Sequence, residues 1–234
     1  MRSHKTKPEL IYLSMAGIPS RSANSIQTMK MASALAEAYQ PFRLMTAGFV
    51  WVRNRPDISI SSWYGIKKLP KIARMPEKLF GSYPFQASRN TRVYSAFCFL
   101  YFLFSRNCIL YTREEKVLKW SQWLKIPIIF EAHLEPSFRG DEVTKFVSSN
   151  PCLLGVVAIS PYLSKIYQRA LPSSKVLYCE DGVETDAYDR LPSKGKLRHQ
   201  LKIKMGQFSK LVVYTGHLYK DRGIETIIDA AKHC

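Results

Sequence analysis

The sequence predicts an α/β protein: a mostly parallel sheet with helices on both faces, followed by an incomplete second domain. Three observations lead to this prediction. Short aliphatic and β-branched runs recur along the chain, and most lack polar alternation, which is typical of strands buried on both faces. Longer segments with apolar residues at helical spacing separate these runs. A basic stretch beginning at Asp189 then precedes one more strand and one more helix.

Seven runs have the composition of strands. They are Leu10–Leu13, Arg43–Thr46, Ile109–Thr112, Ile126–Phe130, Val156–Ile159, Val176–Tyr178 and Leu211–Tyr214. Because parallel strands need crossover connections, the segments between them are expected to contain helices.

Two of these helices have recognisable ends. Asn24 and Gln27 resemble a capping box and predict the start of a helix that continues through Met29–Ala38. Pro161 suits the first turn of a second helix, which is predicted to end before Pro172.

The domain organisation follows from the same pattern. Residues 1–9 are predicted to be an N-terminal tail, residues 10–188 the first domain, residues 189–210 a basic interdomain linker, and residues 211–234 the first strand and helix of a second domain. A single strand and helix cannot bury both of their apolar faces, so the second domain is expected to be truncated. The alternative is that this unit extends the edge of the first sheet.

The chain is strongly basic. It has 234 residues with 35 Lys and Arg against 18 Asp and Glu, and its 46% hydrophobic content excludes a disordered or collagen-like chain. The net charge of +17 favours anionic partners, and nucleic acid, phospholipid and sugar nucleotides all qualify. The five cysteines form no C-x-x-C pair, so neither a disulfide framework nor a metal site is predicted, and a cytoplasmic location is expected.

A loop of small and hydroxyl residues follows the first predicted strand and contains Gly17, Ser22 and Asn24. It leads into a helix N-terminus, whose free N–H groups can bind an anion or a sugar hydroxyl. A plain turn with a helix cap explains the same residues equally well. The loop lacks the G-x-G-x-x-G pattern, which disfavours a nicotinamide-dependent dehydrogenase.

His133 comes just beyond a predicted buried strand, at the end where open α/β sheets bind their ligands. This position makes it the catalytic candidate, although a histidine there is more often a structural hydrogen-bonding group. Glu131 and Glu135 are either its partners or surface acids.

Two later strand ends also carry polar residues. Asp181 and Glu184 flank a glycine after the sixth predicted strand, a pattern that by itself indicates only a turn. His217 and Arg222 lie between the last predicted strand and the last helix, where cationic groups suit a diphosphate.

Taken in order, these motifs resemble the retaining glycosyltransferases of family 4, which have the GT-B architecture of two Rossmann-like domains facing a cleft. Order and spacing carry the resemblance, which covers nearly the whole chain. The matching stretches are the loop at Gly17 with its helix, Tyr111-Thr112-Arg113, Phe130-Glu131-Ala132-His133, Val157-Ala158-Ile159-Ser160, Asp181-Gly182-Val183-Glu184, and the loop from Tyr214 to Gly223.

The resemblance implies transfer of a sugar from a nucleotide-sugar donor to an acceptor hydroxyl with retention, in polysaccharide or glycolipid synthesis, without a metal or other cofactor. It implies that residues 10–188 are mainly the acceptor side, that residues 211–234 begin the donor-binding domain, and that His133 lies beside the transferred sugar. Arg222 stands at the family's phosphate-binding lysine and His217 at its arginine, so both are expected to bind the donor diphosphate.

The remaining candidates fall into two groups. Gly17, Ser22 and Asn24 are expected to form an acceptor loop, and the cleft-lining candidates are Arg113, Glu131, Asp181 and Glu184. The family's paired glutamates have no counterpart in this sequence, so the chain is expected to be inactive alone.

Residues 53–92 contain nine Lys and Arg against two acids, with aromatic residues among them. Such a segment suits an anionic membrane surface, and a peripheral membrane position with a lipid-linked acceptor would then follow. A solvated basic face is equally consistent, and nucleic acid is disfavoured because no nucleic-acid-binding motif accompanies the charge. The longest apolar run, Val93–Phe104, has 12 residues, whereas a bilayer span needs about 20.

The main alternative function is a non-catalytic membrane-docking subunit that binds a separate donor-binding chain. A truncated product without activity is the third hypothesis.

Overall fold

The computed structural model describes residues 7–47, 59–76, 91–105, 107–135, 147–172, 175–183, 185–203, 211–216, 218 and 223–233. The chain divides into two compact units, Met1–Gly182 and Val183–Cys234. The first unit carries the sheet.

Seven parallel strands form one sheet in the first unit. They are β1 Glu9–Ser14, β2 Phe42–Ala47, β3 Lys71–Met75, β4 Cys108–Thr112, β5 Ile128–Ala132, β6 Leu153–Ala158 and β7 Val176–Tyr178. Their order in the sheet is β3-β2-β1-β4-β5-β6-β7.

Helices cover both faces of this sheet. They are α1 Ala23–Ala38, α2 Ile60–Tyr64, α3 Thr91–Phe104, α4 Glu115–Leu124 and α5 Pro161–Ala170. Side chains of α1 and α2 belong to one buried cluster, and side chains of α3, α4 and α5 belong to another. The Rossmann-like α/β fold expected from the sequence is therefore confirmed.

The strands contribute side chains to both cores, which explains their lack of polar alternation. In β1, Ile11 and Leu13 join the cluster under α3, α4 and α5, whereas Leu10 and Tyr12 join the cluster under α1 and α2. A strand buried on both faces needs apolar residues at successive positions.

The long apolar run of the sequence is the packed helix α3. Phe102 is fully buried there and stacks on Trp120 of α4, with ring centroids 5.6 Å apart, whereas Phe104 at the end of the helix is 89% exposed. Within the described part of the chain, no helix has both the length and the apolar character that crossing a membrane requires.

Strand β5 begins two residues later than expected. Lys125 ends α4 with a left-handed backbone, and the N–H of Ile126 still donates to the carbonyl of Ser121 in that helix end. Residues 126 and 127 therefore complete the helix terminus, and the strand runs on to include Glu131 and Ala132.

The described part of the second unit contains three helices, α6 Thr185–Asp189, α7 Lys194–Gln200 and α8 Ile224–Ala231. Helix α7 lies within the segment expected to be a linker, and α8 agrees with the predicted last helix. The predicted strand at residues 211–214 is wrong: these residues form no strand, and Val212 is 84% exposed. A strand needs a neighbour for its hydrogen bonds, and the described residues of this unit provide none.

Candidate active site

The carboxyl ends of β1 and β4 mark the place where this fold can bind a ligand. The two strands are neighbours, but the chain continues from β1 to β2 on one side and from β4 to β5 on the other. The connections therefore diverge, and open α/β sheets bind ligands in the crevice that forms at such a point.

Arg113 follows β4 and reaches the beginning of α1. Its Nη1 donates to Oε1 of Gln27 at 3.2 Å, and its Nη2 donates to Oγ1 of Thr28 at 2.9 Å. Thr28 also shares a hydrogen bond of 3.1 Å with Ser14 at the end of β1. Because a guanidinium has five N–H donors, Arg113 has donors left for a ligand beyond these two bonds to described residues.

Gln27 links Arg113 to Asp181. Its amide oxygen accepts from Arg113, and its Nε2 donates to Oδ1 of Asp181, which follows β7 and is exposed. A guanidinium, an amide and a carboxylate therefore lie side by side at the carboxyl edge of the sheet.

Glu131 and His133 form a hydrogen-bonded pair at the end of β5. The Glu131 side chain is only 2% exposed, and its Oε1 accepts a hydrogen bond from Nε2 of His133, whose side chain is 24% exposed. The other carboxylate oxygen, Oε2, is buried and has no hydrogen-bond partner among the described residues. The Tyr111 hydroxyl approaches Glu131 without completing a hydrogen bond to Oε2.

Glu131 remains ionised despite its burial. Burial acts to raise its pKa, but the hydrogen bond from His133, the Tyr111 hydroxyl and the charge of Arg113 outweigh burial, so the pKa lies below its usual value. A buried carboxylate that stays charged can only accept hydrogen bonds.

Two phenols lie close to Glu131 on the same face of the sheet. Tyr12 of β1 and Tyr111 of β4 are register partners, and their rings meet edge to face with centroids 5.3 Å apart. Burial, followed by the charge of Glu131, raises the pKa of Tyr12 to about 12 and raises the pKa of Tyr111 as well. Both hydroxyls therefore stay protonated and can donate hydrogen bonds at neutral pH.

One group of described residues could hold a metal ion. Ligand atoms of Glu131, His133 and Asp181 all lie within 4.8 Å of one another. Imidazole and carboxylate groups together suit transition metals such as zinc. The hydrogen bond between Glu131 and His133 already explains the closeness of those two groups, so their arrangement does not require an ion.

The loop between β1 and α1 is held by serines. Oγ of Ser25 donates to the carbonyl of Gly17 at 2.7 Å, and the backbone N–H of Ser25 donates to Oγ of Ser22 at 3.3 Å. Ser22 is therefore the cap of α1, and the capping box predicted at Asn24 is wrong. Asn24 already lies inside the helix and is exposed, whereas Ser22 has the extended backbone that a capping residue needs.

The predicted site residues therefore divide into three sets. Arg113, Glu131, His133 and Asp181 meet at the carboxyl edge of the sheet. The loop residues Gly17, Ser22 and Asn24 lie at the start of α1 on the same edge. Glu184, His217 and Arg222 lie outside the described residues, so their roles remain predictions.

Comparison with known proteins identifies structural neighbours but no family. No protein-family model matches the chain, and no curated protein matches it. The solved structure of Anabaena Alr3699/HepE in complex with UDP and glucose superposes with a TM-score of 0.60 and 16% identity over 97% of this chain and 58% of that one. HepE in complex with UDP-glucose superposes with a TM-score of 0.59 and 14% identity over the same shares. The likeness is one of fold.

This chain thus spans a little more than half the length of HepE. At such low identity the similarity to HepE concerns the α/β architecture, and the chemistry must be argued from the side chains at the edge of the sheet. In this chain those are the groups that surround Arg113 and Glu131.

Gln27 and Thr28 belong to the site, although the sequence pattern indicated only a capping role for Gln27. They lie about one turn inside α1, where side chains face the end of β4. The available signal was a pair of polar residues following a strand–loop–helix junction. That signal has meaning only once the helix is known to begin at Ala23.

Proposed function

We propose that this protein is a nucleotide-sugar-dependent glycosyltransferase and that the unit Met1–Gly182 provides the side of the cleft that binds the acceptor. The observation that carries the proposal is the cluster at the diverging strand ends, namely Gln27, Arg113, Glu131, His133 and Asp181. Most of these groups offer more than one hydrogen-bonding atom, which suits the neighbouring hydroxyls of a sugar. The fold shared with HepE, whose structures contain UDP with glucose or UDP-glucose, supports the donor class.

In the proposed reaction the bond between the anomeric carbon and the nucleotide diphosphate breaks, the acceptor hydroxyl oxygen bonds to that carbon from the same face, and the hydroxyl proton passes to the leaving diphosphate. Retention is the outcome, as in family 4. His133 lies beside the transferred sugar, and Arg222 and His217 stabilise the charge that develops on the leaving diphosphate. The proposal includes no metal or other cofactor.

Saturation-transfer NMR with UDP-glucose tests the proposal on the full 234-residue chain. We expect saturation of the glucose protons, a clear loss in His133→Ala and in Arg113→Met, and no loss in the matched variant Lys165→Met, which alters an exposed cation on α5. NAD⁺ serves as a nucleotide without a hexosyl diphosphate and should show no saturation. Equal signals for all three variants, or no signal with any nucleotide sugar, would contradict the proposal.

Peripheral membrane binding is the second candidate function, and exposed aromatic side chains favour it. Phe104 on α3 is 89% exposed and Trp123 on α4 is 67% exposed, while the ammonium of Lys119 lies 5.8 Å from the centre of the Trp123 ring. Aromatic rings beside cations suit the headgroup layer of an anionic membrane. In this proposal the acceptor is lipid-linked, and a subunit without catalysis could use the same surface to recruit a separate donor-binding chain.

Co-sedimentation with vesicles tests the membrane proposal. Binding to phosphatidylglycerol vesicles at low salt should exceed binding to neutral phosphatidylcholine vesicles and should fall as salt screens the charges. The double variant Phe104→Ser, Trp123→Ser should sediment less than the wild-type chain. Equal sedimentation with both kinds of vesicle would exclude an electrostatic contribution, and a double variant that sediments normally would exclude the aromatic one.

A further inference from the structure

The backbone that carries Glu131 is fixed. Strand β5 lies between β4 and β6 in the sheet, and Glu131 is the register partner of Val157 in β6. Its side chain is 2% exposed, so it has little room to change its position. His133 lies two residues further on, where the chain has left the strand and the side chain is partly open to solvent.

The contact between the Glu131 carboxylate and the His133 ring determines which ring nitrogen carries the proton. The Glu131 carboxylate is ionised and can only accept hydrogen bonds, so the Nε2 that contacts it must be the N–H nitrogen of the ring. A neutral imidazole has one N–H and one lone pair, so Nδ1 is then the nitrogen with the lone pair. Among the described residues, Nε2 is the ring nitrogen of His133 that has a hydrogen-bond partner.

We propose that Glu131 is a positioning residue that holds His133 as the Nε2–H tautomer and leaves Nδ1 as the nitrogen that accepts a hydrogen bond from a substrate hydroxyl. Glu131 acts through the ring of His133 and does not contact the substrate itself. The assignment of that hydroxyl to a sugar rests on the proposed glycosyltransferase function. The tautomer does not depend on that function.

The fixed tautomer determines which hydrogen bond the neutral ring of His133 can form with a ligand. An imidazole that exchanges its proton between the two nitrogens can present either a donor or an acceptor at Nδ1, whereas the Nε2–H tautomer presents only an acceptor there. The preference for a hydroxyl donor is then built into the protein before the ligand arrives, and no proton has to move when the ligand binds.

Nitrogen NMR of the imidazole rings tests the assignment in the full chain. We expect the neutral ring of His133 to show a protonated Nε2 and an unprotonated Nδ1, identified by long-range proton–nitrogen correlations over a pH series. The variant His133→Asn assigns the signal by its disappearance. A protonated Nδ1 in the neutral ring of the wild-type chain would overturn the proposal, and this measurement needs no variant at position 131.

Substitutions then test the role of the carboxylate. Glu131→Leu keeps the approximate size of the side chain but removes the hydrogen-bond acceptor, so the ring should become a mixture of both tautomers. Glu135→Gln changes another nearby acid and should leave the Nε2–H tautomer intact. An unchanged tautomer in a folded Glu131→Leu chain would show that Glu131 does not position the ring.

Two ligands distinguish the remaining outcomes. UDP-glucose should shift the Nδ1 resonance as that nitrogen accepts a hydrogen bond. If the wild-type tautomer is as expected but UDP-glucose leaves Nδ1 unchanged, the sugar assignment fails while the positioning role of Glu131 stands. Zinc chloride at a concentration equal to that of the protein should leave the ring unaffected; loss of the Nε2 proton would instead make Glu131, His133 and Asp181 metal ligands and would overturn the proposal.

Discussion

Substitution of Arg113 by methionine should destabilise the protein by about 3 kcal/mol. The change removes two hydrogen bonds from a charged donor, of 3.2 Å to Gln27 and 2.9 Å to Thr28, and such bonds contribute about 1.5–3 kcal/mol each in mutational series. The expected loss is at the lower end because both partners keep another bond. Oγ1 of Thr28 retains its hydrogen bond with Ser14, and Gln27 stays anchored through the bond from its Nε2 to Asp181.

Urea unfolding followed by tryptophan fluorescence measures this loss. Lys165→Met is the matched control, since it removes an exposed cation from α5 and should change the free energy of unfolding by less than about 0.5 kcal/mol. If Arg113→Met is no more destabilising than Lys165→Met, with the same dependence of the unfolding free energy on urea concentration, the two hydrogen bonds of Arg113 do not stabilise the fold.

The loss of stability in Arg113→Met should also depend on pH, because the charge of Arg113 affects the pKa of Glu131. The folded pKa of Glu131 lies below its usual value, so this carboxylate contributes stability above the unfolded pKa and loses the contribution as the pH falls through the folded pKa. Removing the Arg113 charge raises the folded pKa and reduces the contribution. The stability difference between Arg113→Met and wild type should therefore narrow in acid, and a difference that stays constant from neutral pH to below the pKa of Glu131 would show that the two charges are not coupled.

Three further predictions concern the cap of α1, the packing of α3 and the charge of Glu131. Ser22→Ala should lower the free energy of unfolding by about 1 kcal/mol because α1 loses its cap, whereas Asn24→Ala should have little effect; equal losses in urea would contradict the observed cap. Phe102→Ala should cost about 3–5 kcal/mol because the ring is fully buried, whereas the exposed Phe104→Ala should cost under about 0.5 kcal/mol; similar thermal midpoints for the two variants would contradict the packing of α3. Glu131→Gln should flatten the loss of stability that accompanies falling pH, since the group with the depressed pKa is gone; an unchanged acid profile in urea would assign that loss to other groups.

The strands and helices with strong local signals were predictable. Val176–Tyr178 and Pro161–Ala170 have the bounds that the sequence predicted, since aliphatic runs and a proline in the first turn act over a few residues. Strand β3 gave no such signal. It lies at the edge of the sheet and carries Lys71 and Arg74. Charged residues on an edge strand oppose pairing with another chain, and here they also interrupt the apolar run by which a strand is recognised.

Residues 211–214 were predicted to form a strand, but the structure shows no strand there. Their composition suits a strand, but a strand exists only as a partner in a ladder of hydrogen bonds. The described residues of the second unit offer helices and no such partner. The composition of residues 211–214 is therefore compatible with a strand, but the described residues of the second unit provide no strand with which they could pair.

The sequence by itself determined the fold class and the place of His133 and Arg113 at strand ends. Both could be recognised because a buried strand and the residues that follow it form one short contiguous stretch of sequence. Tertiary structure alone decided which polar groups meet. Gln27 contacts Asp181, which is 154 residues away in the sequence, and Arg113, which is 86 residues away. These contacts follow from a strand order that places β1 beside β4. No local pattern encodes that order, since it depends on how all seven strands share two cores.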